Sequence, residues 1–233
     1  MVNGTNEINH LSLTAHTNEE KLQALATIDA FRSGQSLTVY GTSLNAALAN
    51  NKINFALNTK DINGKNKYHL EGLLAQPSNA IYEFSLRPDS LMLNYQEWLA
   101  SNDNKIRIDS ANITAHNFWL SFMDQRLTIQ TRVNEPGQPL GVDFSRFRIA
   151  TLASFIQKDS LLVDGELNGS IKFANITKAP IFAGDLTVNN VSMNKDTLGD
   201  LRGVVNNAQP DQYAADITLT GRGNDVGVKG YTK

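Results

Sequence analysis

Leu161-Leu162-Val163-Asp164-Gly165-Glu166-Leu167-Asn168-Gly169-Ser170-Ile171-Lys172-Phe173 decides the fold. Leu161, Val163, Leu167, Ile171 and Phe173 share one parity, and Asp, Glu, Asn, Ser and Lys take the other. Period two over that length is a strand with one apolar and one polar face. The same pattern recurs on both sides. Upstream stand Leu37/Val39/Gly41, Ile53/Phe55/Leu57, Tyr68/Leu70/Leu74, Tyr82/Phe84/Leu86, Ile106/Ile108, Phe118/Leu120/Phe122, Leu127/Ile129/Val133 and Val142/Phe144. Downstream stand Leu186/Val188, Ile217/Leu219 and Val226/Val228.

Turn residues punctuate these runs. They include Asn50-Asn51, Asp61-Ile62-Asn63-Gly64, Gln76-Pro77-Ser78-Asn79, Arg87-Pro88-Asp89, Ser101-Asn102-Asp103-Asn104 and Glu135-Pro136-Gly137. Asn189-Asn190, Asn206-Asn207 with Pro210-Asp211, and Arg222-Gly223-Asn224-Asp225 continue the series. Asn, Asp and Gly tolerate the positive φ of tight hairpins, so Gly64, Gly137 and Gly223 are expected in such connections. Helix is scarce: Thr151–Gln157 places Leu152, Phe155 and Ile156 at helical spacing. Asn18–Ala30 fits either period, and the flanking strands favour a strand there. A meander of a dozen or more strands, at about 4.8 Å each, spans on the order of 60 Å and must curl, split or close. Barrel, sandwich and elongated curled sheet all satisfy that demand. No linker or charge block divides residues 1–233, which read as one continuous unit.

Composition excludes several functions. Of 233 residues, 21 are Lys or Arg and 23 Asp or Glu, a formal charge of −2, which is not the basic footprint of a nucleic-acid binder. The absence of cysteine removes disulfides, thiol catalysis and Cys-ligated metals. No run of about 18 apolar residues suggests a membrane helix. The polar start Met1-Val2-Asn3-Gly4-Thr5-Asn6 is no signal peptide, and Val226–Tyr231 is a strand running almost to the last residue. The expectation is an internal fragment of a longer protein.

No catalytic constellation stands out. His10, His16, His69 and His116 lie in strand-like runs without an HExxH pattern, and neither GxSxG nor a P-loop occurs. Gly221-Arg222-Gly223-Asn224-Asp225-Val226-Gly227 lacks the third glycine position and following helix of a dinucleotide site. It is also a single copy where calcium-binding nonapeptides come in arrays, so it reads as a hairpin turn. The carboxylates offer no pair for glycosidase chemistry. Trp98, at a strand end, reads as a core plug or a turn cover. No catalytic residue, metal ligand or cofactor site is assigned, and the chain reads as non-enzymatic.

Several motifs do carry information through their order. They are Leu91-Met92-Leu93-Asn94-Tyr95-Gln96-Glu97-Trp98, Asn102-Asp103-Asn104-Lys105-Ile106, Gln125-Arg126-Leu127-Thr128-Ile129 and Leu140-Gly141-Val142-Asp143-Phe144. Asp164-Gly165-Glu166-Leu167-Asn168-Gly169, Leu198-Gly199-Asp200-Leu201 and Asp216-Ile217-Thr218-Leu219-Thr220-Gly221-Arg222-Gly223-Asn224-Asp225-Val226 follow. Over residues 85–231 this order resembles the C-terminal region of TamB-type translocation and assembly module proteins, of the AsmA-like superfamily. The resemblance implies an all-β, curled antiparallel or mixed sheet enclosing an elongated apolar groove, a β-taco. It implies a periplasmic location, with the full-length protein anchored in the inner membrane. It also implies a part in outer-membrane biogenesis as a phospholipid path, with acyl chains and an Omp85-class outer-membrane barrel as partners.

Physics supports a groove independently. At about 0.8 kcal/mol per CH₂, exposing two palmitoyl-length chains to water costs roughly 25 kcal/mol, which a continuous apolar trough largely removes. The residues expected to line it are Phe55, Leu57, Leu70, Phe84, Leu86, Ile106, Ile108, Phe118, Leu120, Ile129, Val142, Phe144, Leu167, Ile171, Phe173, Leu186, Val188, Ile217 and Leu219. Rival readings are a β-sandwich binding or adhesion module, which calls for aromatics in loops, and an outer-membrane β-barrel, which calls for aromatic girdles. Two Trp, and strands broken by Pro77, Pro88 and Pro136, count against the barrel.

Overall fold

Asn50 and Asn51 both adopt positive φ, 50° and 58°, and so reverse the chain in the two-residue manner that suits twisted hairpins. Repeated along the chain, such reversals generate nearly the whole fold. The computed structural model describes residues 2–3, 6–18, 20–34, 37–156, 163–209 and 212–232. Strand accounts for most of the described residues, which makes the class all-β.

The strands are β1 (Val2–Asn3), β2 (Asn6–Asn9), β3 (Ser12–Asn18), β4 (Lys21–Ser33), β5 (Leu37–Ala49), β6 (Lys52–Lys60), β7 (Asn66–Ser78) and β8 (Ile81–Leu93). Then come β9 (Gln96–Ala100), β10 (Lys105–Ile108), β11 (Ile113–His116), β12 (Phe118–Phe122), β13 (Gln125–Thr131) and β14 (Leu140–Arg148). The helix α1 (Ile149–Ile156) precedes β15 (Val163–Ala174), β16 (Ile181–Met193), β17 (Asp196–Gln209), β18 (Gln212–Gly221) and β19 (Asn224–Thr232). Every pairing is antiparallel and joins near neighbours in sequence. β2 and β3 lie end to end along β4, and β9 and β10 lie along β8. β12 continues from β9, and β13 to β19 follow in order. The sheet is not closed into a barrel.

Within Asn18–Ala30, Asn18 ends β3 and Lys21–Ala30 belong to β4, so the described part is strand apart from the turn at Glu20, and the expected helix spans Ile149–Ile156. Gly64, Gly137 and Gly223 sit in connections at φ 79°, 75° and 84°. Leu161, Gln157, Pro210 and Asp211 lie outside the described residues.

Four expected interruptions are corrected. β7 and β8 run through Pro77 and Pro88. Both prolines fall where the β7–β8 register shifts, between Ala75 and Ser78 on one strand and opposite the Leu70/Gly72 step on the other. A bulge leaves residues out of the ladder, so a missing N–H costs no hydrogen bond there. Asn189-Asn190 is likewise a bulge within β16, with Asn190 at φ 52°. Asn206-Asn207 lies inside β17, where the buried Asn207 side chain accepts from the Phe182 N–H and donates to the Pro180 carbonyl. Two smaller expectations also change. Val133 lies beyond the end of β13 and is exposed, and His10 sits at the break between β2 and β3 with φ 49°.

The bulges locate the core. Register shifts occur in β8 after Leu86, in β14 between Phe144 and Phe147, in β15 between Asp164 and Glu166, and in β16 between Val188 and Val191. Bulges bend a strand and sharpen its twist. Around them the buried cluster forms from Leu91, Trp98, Ala100, Phe118, Leu120, Phe147, Leu167 and Val188. α1 packs on β14 and β15 and also touches β5, many strands away in the ladder. That contact requires the sheet to curl.

Candidate functional site

Residues paired directly across an antiparallel ladder put their side chains on the same face, so register alone assembles the apolar surface. On one wing, Leu13, Ala26, Leu44, Leu57 and Leu70 form a row through β3 to β7. A second row runs Ala15, Ala24, Ala46, Phe55, Gly72, Leu86. A third ends in Leu48, Ile53, Leu74, Phe84, Ile106, and Ile108 is paired with Tyr82 beside it. On the other wing one row runs Leu120, Leu127, Phe144, Gly169, Leu186, Gly203, Ile217, Val228. Its neighbours run Phe118, Ile129, Val142, Ile171 and Leu167, Val188, Leu201, Leu219, Val226, with Phe173 paired to Phe182. No charged side chain belongs to any of these rows. Stacking of Phe84 on Phe118, at 6.3 Å, joins the two wings.

All nineteen residues singled out above therefore lie on this one face, but their surroundings differ. Phe118, Leu120, Leu167 and Val188 are buried, and Phe84, Leu86, Ile106, Ile129, Phe144, Leu70 and Leu186 pack against them. Away from buried Ala30, Thr59 and Tyr68, the wings carry exposed apolar positions. Leu13 is 70% exposed and Leu44 40%; at the far side Ile217 is 36% and Val228 61% exposed. The trough is thus closed by its own side chains near the middle and open towards both ends. A concavity of about 450 Å³ over the first wing lies mainly on the opposite face, where Thr14, His16, Gln23, Asn45 and Asn54 line it, and so is not part of the trough.

Several of the most buried residues escaped the period-two reading. Leu91, Trp98 and Phe147 lie beyond bulges that change the parity of the inward positions: Phe84 and Leu86 give way to Leu91, and Phe144 gives way to Phe147. The same device in β5, one extra residue between Tyr40 and Ser43, moves the inward positions from Val39 to Leu44. Trp98 is 2% exposed and Phe147 1%, with ring centroids 5.5 Å apart, and Phe122 lies 5.7 Å from Trp98. The aromatic content of this cluster was the available signal, since aromatic side chains dominate core energetics.

The opposite face is polar and laced with ion pairs: Arg202–Asp185 and Lys229–Asp216 at 2.8 and 2.7 Å, Lys105–Glu83 at 3.0 Å and Lys172–Glu135 at 2.7 Å. Exposed pairs of this kind add little stability but keep the face wet. Asp61 feels some desolvation, yet hydrogen bonds from the Lys65 amide, the Tyr95 hydroxyl and the Asn63 amide hold its carboxyl below the usual range. Asp109 is lowered in the same way by the amides of Ala111 and Asn112. His69 hydrogen-bonds Asn58 at 2.5 Å, and His10 lies 2.9 Å from Asp29. Among the described residues no group of three or more His, Asp or Glu could hold a metal ion, and no helix is long and apolar enough to cross a membrane.

Comparison with protein-family models, with curated proteins and with solved structures found no match to this chain.

Proposed function

We propose that the chain is a non-enzymatic lipid-path segment of a periplasm-spanning protein that serves outer-membrane biogenesis, as the resemblance to TamB-type proteins implies. The observation that carries this reading is the uncharged apolar face, continuous in register from β3 to β19 and uncovered at both wings. An exposed apolar surface of that extent marks a binding surface for apolar partners. Acyl chains suit it because they ask only for removal from water, with no hydrogen bonds in return. In the full-length protein, an Omp85-class barrel would receive the lipid.

The test is photo-crosslinking in cells, with benzoylphenylalanine placed at Leu44 or Val228 on the apolar face and at Asn54 or Thr218 on the polar face. Phospholipid adducts at the first two positions and none at the last two are expected, with matching lipids in mass spectra of organic extracts. Absence of lipid from all four positions overturns the reading and leaves the face to a protein partner.

A further inference from the structure

The Trp98 indole Nε1 is sealed from solvent and has no hydrogen-bond partner. Leaving a buried donor unmatched is costly, and native structures rarely do so without a reason. The neighbours of Trp98 are Leu91 across the β8–β9 ladder and the rings of Phe122 and Phe147. None of these side chains offers an acceptor, and no backbone carbonyl is placed to accept from the indole. This lone donor stands at mid-trough, between the two open wings.

We propose that the Trp98 N–H is the polar contact for an ester carbonyl of a diacyl glycerolipid lying in the trough. The proposal deepens the lipid reading above and rests on it. The chemistry selects the acceptor. A water molecule needs two to four polar partners to be held, and the side chains packed on the indole add none. A phosphate or carboxylate would bring a charge into a cluster that contains no cation. An ester carbonyl is neutral, accepts one strong hydrogen bond, and is flanked by hydrocarbon that fits the apolar rows on either side. The ring that a ligand has to displace is Phe147, packed 5.5 Å from Trp98; it directly follows the β14 bulge, pairs with Leu167 and leads into α1. Trp98 then marks one fixed depth at which an ester rests.

The experiment compares diheptanoylphosphatidylcholine with its diether analogue, both below their micellar concentrations, by titration calorimetry against the whole chain. The wild type is expected to bind the ester about five- to tenfold more tightly, the worth of one hydrogen bond of about 1 kcal/mol or slightly more. Trp98→Phe is expected to remove the difference while leaving ether binding in place. Should that variant not fold, the wild-type indole N–H proton resonance supplies the answer, moving downfield with the ester and not with the ether. Equal binding of both lipids, with an unmoved indole resonance, overturns the Trp98 assignment and leaves the lipid reading standing. Binding of neither lipid overturns both.

Discussion

At Gly169 the backbone has φ 118°, and an added Cβ would meet the Asp185 carbonyl oxygen at 2.1 Å. The residue lies in the row between Phe144 and Leu186, where the backbone of β16 leaves no room for a side chain. Gly169→Ala is expected to cost about 1–3 kcal/mol from the backbone conformation alone, before the collision adds to it. Urea unfolding should show a lower midpoint with an unchanged slope. Asp61 supports a pH prediction. Its carboxyl is depressed below the ordinary 3.8 by the Lys65, Tyr95 and Asn63 hydrogen bonds. Stability from this group is therefore complete above the unfolded-state value and lost as pH falls through the lower folded value. Thermal melts of the wild type should weaken over that acid range, and Asp61→Asn should show a smaller acid-side slope.

Among the elements, the bulged strands shape the trough. β16 carries Asn190 at φ 52°, and its N–H donates to the Asp200 carboxylate at 2.8 Å. Asparagine tolerates that conformation; a β-branched residue does not. Asn190→Val is expected to destabilise the chain by about 1–2 kcal/mol. Hydrogen exchange should localise the loss to β15–β17 rather than to β4–β6. If exchange rises uniformly over the sheet instead, the bulge is not a local determinant of the bend. β8 reaches the same end through Pro88, whose lack of an N–H is harmless in a segment already out of the ladder.

For the whole molecule, the contrast between a covered middle and uncovered wings separates folding from function. Phe144→Arg places a charge at a half-buried position packed against the buried cluster, 5.7 Å from the Phe147 ring centroid, where the surrounding side chains are apolar. Loss of the cooperative thermal transition is expected, because an unpaired charge in an apolar core costs several kcal/mol. Ile217→Arg places the same charge on the open wing, where solvent reaches it. That variant is expected to melt within a few degrees of the wild type, a shift corresponding to less than about 1 kcal/mol. It should also lose lipid crosslinking at Val228, its partner across β18–β19. A wing variant that keeps full crosslinking would show that the exposed apolar face is not the path.

The period-two alternation by itself determined the all-β class, the antiparallel meander and the shared face of Phe55, Phe144, Leu186 and the rest. A strand's side chains must alternate, and one apolar parity leaves one face to bury. The hairpin asparagines and glycines were legible for the same local reason, since positive φ selects those residue types. Bulges were not legible, because an extra residue in one strand is defined only by what the partner strand does. Pro88 and Asn189-Asn190 therefore read as turns, and Leu91, Trp98 and Phe147 fell out of phase with the rows they complete. Only the tertiary structure decided that the trough closes on itself near Trp98 and stays open at Leu13 and Val228. That outcome depends on how far the bulges bend the sheet and on where α1 lands against β5, and both are contacts between residues far apart in the chain.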